Sequence, residues 1–191
     1  MKKYELLKDD TKIMSGHTLY RIKALRDFGN VEKGDLGGYI ESKDNLSHNG
    51  DAWVFGNARI CGNAEVCGNA RVCGNAWVCG NAEVCGNAMV FGNAEVFDDA
   101  EVFDDAMVFG NAEVCGNAVI KSTEDYIVFK NNWSSGRYFT YTKSNKMWEV
   151  GCFYGTGQEL IEKAYADSEL SGKCYEAYVK LVEQLENIQI K

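Results

Sequence analysis

The chain contains no proline and only two histidines, His17 and His48, among 191 residues. Two histidines are too few for a three-histidine zinc centre. No apolar run approaches the roughly 20 residues that span a bilayer, and the start, MKKYELLKDD, lacks the apolar stretch of a secretory signal. A cytoplasmic location is therefore expected, with no membrane partner. Basic residues are outnumbered 20 to 28, giving a net charge of −8. The excess sits in one place. Residues 49–120 carry two basic and ten acidic side chains, whereas residues 1–48 sum to +1 and residues 121–191 to −1. That distribution disfavours direct contact with a nucleic-acid backbone.

What is present is one six-letter word, Val-x-Gly-Asn-Ala-x, written without insertion. Its aliphatic slot runs from Val54 to Ile120 in steps of six, and the slot two residues earlier is Ala each time, from Ala52 to Ala118. Stepping backward, Leu46 and Ile40 fall on the Ala slot, so the register is expected to begin near Ile40. Ala-x-Val-x alternates with period two, the signature of a short strand with Ala and Val facing inward. Gly-Asn then turns the chain, because both residues tolerate left-handed backbone angles. Six-residue words of this kind build a parallel β-helix. Six of the eight cysteines occupy one slot of the word, a packing pattern and not a disulfide framework, so free thiols are expected. Stacked pairs such as Cys61 and Cys79 would nevertheless lie close enough to bridge.

The spacing resembles the hexapeptide repeat of left-handed β-helices, in which three words make one triangular coil; the handedness and the coil length are implied by that resemblance. Residues eighteen apart then stack at about 4.8 Å. A first outer face presents Trp53, Phe55, Met89, Phe91, Met107 and Phe109, together with Arg71 and Cys73. An exposed apolar stripe of this size marks an interaction site, and the resemblance implies a homotrimer. A second face presents Arg59, Cys61, Trp77, Cys79, Glu95, Phe97, Glu113 and Cys115. A third stacks Glu65, Glu83 and Glu101 beside Cys67, Cys85 and Phe103, and is bordered by Asp98-Asp99 and Asp104-Asp105, where Gly-Asn has been replaced twice. Asp tolerates such turns, and the same residues also form an acidic ridge suited to a basic partner or a hard cation. No metal-ligating set and no cofactor is expected.

The domain reading is an N-terminal cap over 1–39, a β-helix over 40–120 and a small α+β domain over 121–191. In the cap, KKYELLKDD and HTLYRIKAL read as strands and DFGNVEKGDLGGYIE as loop. In the last domain Tyr126–Lys130, Arg137–Thr142 and Met147–Phe153 read as a three-stranded meander, followed by two helices. Thr156 and Glu159 have capping-box spacing. Tyr175, Tyr178, Val179, Val182 and Leu185 share one face of the second helix. Gly155-Thr156-Gly157 is too short for a dinucleotide fingerprint but stands where a phosphate cradle would.

The stretch TLYRIKALRDFGNVEKGDLGGYIESKDNLS, followed by Gly-Asn-Ala words, and the later GCFYGTGQELIEKAY resemble a family of phage and prophage proteins described as hexapeptide-transferase-like or polymer-forming. The most specific match is Leu36 to Glu41. Acyltransferases of hexapeptide-repeat type use a histidine base beside a loop that interrupts the coil; here no loop interrupts Val54 to Ile120, and no histidine follows His48. The expectation is a non-enzymatic, oligomeric binding protein that inhibits or sequesters a host defence factor, either a protein or a small nucleotide. A structural polymer is the alternative, and an acyltransferase a distant third.

Overall fold

The computed structural model describes residues 2–189, and the chain divides into two units with the break after Tyr126. The first unit opens with a hairpin, β1 (Tyr4–Met14) and β2 (His17–Ala24), and continues through β3 (Leu36–Ile40). Twelve two-residue strands follow at hexad spacing: β4 (Trp53–Val54), β5 (Arg59–Ile60), β6 (Glu65–Val66), β7 (Arg71–Val72), β8 (Trp77–Val78), β9 (Glu83–Val84), β10 (Met89–Val90), β11 (Glu95–Val96), β12 (Glu101–Val102), β13 (Met107–Val108), β14 (Glu113–Val114) and β15 (Val119–Ile120). Each of β4 to β12 pairs in parallel with the strand eighteen residues on, as in Trp53 with Arg71 and Met89 with Met107. Three hexads therefore make one coil. The strands form three sheets, β4-β7-β10-β13, β6-β9-β12-β15 and β5-β8-β11-β14, and the last is extended by β3, β2 and β1.

Every Ala and every Val or Ile of the two inward slots is fully buried, from Ala52 to Ile120. Removing one Val side chain from water contributes about 1.5–3 kcal/mol, and the strict Ala/Val alternation lets small and branched side chains fill a narrow prism. The polar corners are stitched from coil to coil. Asn63 Nδ2 donates to Asn81 Oδ1 (2.9 Å), and Asn81 Nδ2 in turn to Asp99 Oδ1 (2.8 Å). Asn69 donates to Asn87, and Asn87 to Asp105.

The coil stack is polar along its length. Backbone N–H groups of one coil donate to carbonyls of the next, as Phe55 N does to Val72 O (2.8 Å). The first coil therefore leaves carbonyls facing the N-terminal end and the last leaves N–H groups facing the other. Unpaired backbone groups at such edges need partners, and each end receives the complementary type. Lys3 Nζ donates to Ala52 O at 2.8 Å, and the Tyr4 hydroxyl to Leu46 O at 2.7 Å. At the far end the Tyr126 hydroxyl accepts from Phe109 N, Asp98 Oδ2 accepts from Gly116 N, and Asp125 Oδ2 accepts from Lys121 N and Ser122 N.

This polarity accounts for the two Asp-Asp words. The first residue of each corner has positive φ, including Asp98 (59°) and Asp104 (58°). A Cβ there points at the coil above: on Gly74 it would lie 2.9 Å from Gly92 O, whereas on Gly110, in the last coil, it would meet nothing within 4 Å. Asp104 stands where its column of corners ends, and Asp98 only one coil below the end, with its carboxylate on the amide above. Gly74→Ala is therefore expected to cost about 2–4 kcal/mol, and Gly110→Ala only about 1 kcal/mol, the left-handed penalty alone. Denaturant midpoints of the two variants check the difference.

Two expectations for the first unit are corrected. Ile40 pairs with Ile60, and Leu46 bridges Val66, both twenty residues on. Both therefore stand in the aliphatic slot, and two extra residues lie in the corner between Ser47 and Ala52. In addition, Leu36–Ile40 is a strand where the reading had a loop. It is antiparallel to β2 and parallel to β5, and so converts the hairpin into the solenoid. Its two glycines permit close approach: a Cβ on Gly37 would meet Ile22 Cγ1 at 2.5 Å, and one on Gly38 would meet Ala58 O at 2.5 Å.

The second unit has a four-stranded antiparallel sheet, β16 (Tyr126–Lys130), β17 (Tyr138–Thr142), β18 (Met147–Val150) and β19 (Phe153–Gly155), in that order. The expected third strand over 147–153 is broken by a turn at Gly151 (φ 64°), which yields the fourth strand. Helices α1 (Gly157–Asp167) and α2 (Glu169–Gln189) pack with the sheet around Phe139, Tyr141, Trp148, Leu160, Tyr175, Val179 and Val182. Leu185, expected on the buried face of α2, is instead exposed. Among the described residues no helix is long and apolar enough to cross a membrane.

Candidate interaction surfaces

The first outer face is only partly open. Trp53, expected on the exposed stripe, is 1% exposed, because the cap covers it: Phe28 and Tyr4 meet its ring edge-on at 5.3 and 6.1 Å. Phe55, Met89 and Phe91 are half-buried, whereas Met107 and Phe109 are 40% and 44% exposed. Phe91 and Phe109 stack with centroids 5.2 Å apart and planes 12° from parallel. The open stripe is thus shorter than the sequence suggested and lies toward the later coils.

The second face is where the hairpin settles. Leu19, Tyr39 and Cys61 form a buried cluster with Met14, Trp77 and Cys79 packed against it. The Trp77 indole donates to Cys61 Sγ at 3.3 Å. The Cys61 thiol is pulled down to about 6, first by the adjacent Cys79 and then by Trp77, while Cys79 is pushed up. Both histidines serve this cap. His17 Nδ1 lies 2.9 Å from each Glu41 oxygen, Glu41 Oε2 also accepts from Gly62 N, and the ion pair raises His17. His48 Nδ1 accepts from Lys3 N and its ring stacks on Tyr4 at 4.4 Å; burial and the nearby Lys3 charge lower it.

The third face is open. Glu65, Glu83 and Glu101 are exposed and directly opposed on neighbouring strands, an arrangement that repels. Among the described residues none of the three pairs with a lysine or arginine. At its borders Asp98, Asp99 and Asp105 each accept a bond from the protein's own donors, and no trio of carboxylates converges there among the described residues. The hard-cation reading of the Asp-Asp corners is thus left without a ligand set. Three other groups do converge: the Cys67 and Cys85 thiols and the Glu83 carboxylate, all within 4.8 Å of one another. Burial and the carboxylates of Glu65 and Glu83 raise the Cys67 thiol, and burial, Cys67 and Glu83 push Cys85 up to about 12. Sequence reading placed all three on this face without joining them. The signal was the eighteen-residue step from Cys67 to Cys85, with Glu83 two positions before the second thiol.

In the second unit the capping box is formed: Glu159 N donates to Thr156 Oγ1, and Thr156 N to Glu159 Oε2 at 2.8 Å. A carboxylate already stands where a phosphate would lie, so Gly155-Thr156-Gly157 is a helix cap and not a cradle. A cavity of about 230 Å³ elsewhere in this unit is lined by residues including Asn131, Ser134, Arg137 and Lys163.

These features define a β-solenoid repeat protein with outward columns of distinct chemistry. Residues 64–80, a stretch within the repeat, match the family model described as the YdcK Beta solenoid repeat. Comparison with curated proteins returns no match.

Proposed function

We propose that this chain is a non-enzymatic binding protein that self-associates through the later part of its first face and engages a basic host partner through its third. The observation that carries the reading is the outward apolar column of half-buried Met89 and Phe91 and exposed Met107 and Phe109 on the solenoid. An apolar stripe that points away from a complete core is a surface for association. A homotrimer, with the left-handed winding of hexapeptide-repeat proteins, is the assembly that the sequence resemblance favours. The carboxylate ladder Glu65-Glu83-Glu101, which meets no lysine or arginine among the described residues, supplies complementarity to a basic surface. The resemblance to phage and prophage proteins favours a bacterial host factor in the cytoplasm, with inhibition or sequestration as the outcome. The employment of both histidines in the cap supports the non-enzymatic reading.

Sedimentation provides the test of self-association. The wild type is expected to sediment at about three times the 21.2 kDa chain mass, and Met89→Glu combined with Phe91→Glu at the monomer mass. An unchanged mass for the variant would sink the assembly. For the partner, a host protein retained by the wild type and released by Glu65→Lys with Glu101→Lys supports the acidic face. Filaments under electron microscopy would instead favour the structural-polymer reading.

A further inference from the structure

Among the described residues one group of thiols and carboxylates converges as metal ligands do: Cys67, Glu83 and Cys85 on the open third face. We propose that these three side chains bind a divalent ion of the zinc class.

The geometry follows from the coil. Cys67 and Cys85 hold the same slot one coil apart, and Cys67 N donates to Val84 O at 3.0 Å, which ties the two strands together beside the thiols. Glu83 opens β9 (Glu83–Val84) and Cys85 follows that strand directly, two positions after Glu83, a spacing at which extended chain points side chains the same way. The three ligand atoms lie within 4.8 Å of one another. A tetrahedral zinc ion, with Zn–S near 2.3 Å and Zn–O near 2.0–2.2 Å, holds its ligands about 3.3–3.8 Å apart. Small side-chain rotations close that difference without moving the hydrogen-bonded backbone. Binding as two thiolates and a carboxylate, the ligands supply −3 to the dication and release the two thiol protons. The Glu65 and Glu101 carboxylates, which flank Glu83 in register on either side, add further attraction for a cation. Thiolate donors select zinc, cadmium or cobalt over calcium and magnesium, which prefer oxygen. The fourth coordination position faces outward, open to water or to a ligand atom from a bound partner. The Cys61–Cys79 pair differs: it lies under the hairpin, and among the described residues it belongs to no converging group of three ligand atoms.

The test uses the full, reduced chain titrated with Co²⁺ and then displaced by Zn²⁺. One ion per chain is expected, with a thiolate-to-cobalt charge-transfer band and the visible bands of tetrahedral coordination. Cys67→Ser with Cys85→Ser should weaken binding at least about a hundredfold, and Glu83→Gln at least about tenfold. Cys73→Ser should change nothing, because its slot neighbours one coil away are Phe55 and Phe91. Zn²⁺ should raise the melting temperature of the wild type and of Cys73→Ser but not of the double variant, and far-ultraviolet circular dichroism verifies that each variant is folded. Absence of the charge-transfer band at micromolar cobalt, its survival in the folded double variant, or equal affinity for Ca²⁺ would overturn the proposal.

Discussion

Val90→Asp is expected to unfold the solenoid while residues 127–191 stay folded. Val90 is fully buried and lies in register between Val72 and Val108. The interior around it consists of Ala and Val side chains, which offer a carboxylate no partner. Burying a charge without a partner costs several kcal/mol and ranks among the few mechanisms with large single-site effects. In a stack whose stability is a sum of nearest-neighbour terms, a break at the middle coil leaves short fragments on either side. The second unit has its own core of Phe139, Trp148, Leu160, Tyr175, Val179 and Val182, so its helical signal should persist. Circular dichroism and limited proteolysis check both halves of the statement: loss of the β signal, and survival of a fragment that begins near Ile127. Val90→Ile, which only adds volume, should cost about 1–3 kcal/mol and leave the fold intact. A cooperative wild-type melt for Val90→Asp would contradict the assignment of the prism interior.

Stability is expected to fall as pH rises above about 9, the ordinary thiol value, in the presence of reductant. Cys67, Cys73, Cys79 and Cys85 are all raised above 9.0 in the folded chain, chiefly by burial for Cys67, Cys73 and Cys85, and chiefly by the Cys61 bond for Cys79. Above that value unfolded thiols lose protons that the folded state retains. The native state then binds more protons than the unfolded one, so unfolding free energy drops with rising pH. Tyr4, Tyr126, Tyr141 and Tyr175, raised by burial from 10.0, extend the loss at higher pH. Cys61, pulled down from 9.0 to about 6, opposes this loss until its unfolded thiol has ionised, and adds nothing well above 9.0. Lys3 opposes it too. Burial lowers it from 10.5 to about 8, so between these values the unfolded state carries the extra proton and stability rises with pH. Urea midpoints between about pH 9.5 and 11 should therefore decline in the wild type, decline less in Cys67→Ala with Cys85→Ala, and decline more steeply in Lys3→Met. A flat profile in the wild type would contradict the burial assigned to the thiols.

How much of this was legible beforehand varies by element. The inward slots were, because Ala recurs at one and Val or Ile at the other at fixed phase over twelve words. The ladder Glu65-Glu83-Glu101 followed once three words were counted to a coil, and the Thr156–Glu159 cap followed from local spacing. The two-residue slip between Ser47 and Ala52 was not legible, since Ile40 and Leu46 suit either inward slot and only their pairing with Ile60 and Val66 distinguishes them. The fourth strand of the second unit was hidden for a similar reason: Met147–Phe153 reads as one run until Gly151 turns it. The converging Cys67, Glu83 and Cys85 needed distances that periodicity does not supply.

The amino-acid order by itself determined which slots of the six-residue word face inward and which face outward, because a period-two strand within each word puts Ala and Val on one side. The eighteen-residue lap, and with it the make-up of each outward column, was implied by the resemblance and is shown by the strand pairing. The tertiary structure alone decided which columns remain open. Trp53 and Cys61 were buried by residues far away in the chain, Tyr4 and Phe28 over the one and Leu19 and Tyr39 over the other, and the docking of a hairpin on a solenoid leaves no periodic trace in the sequence it covers.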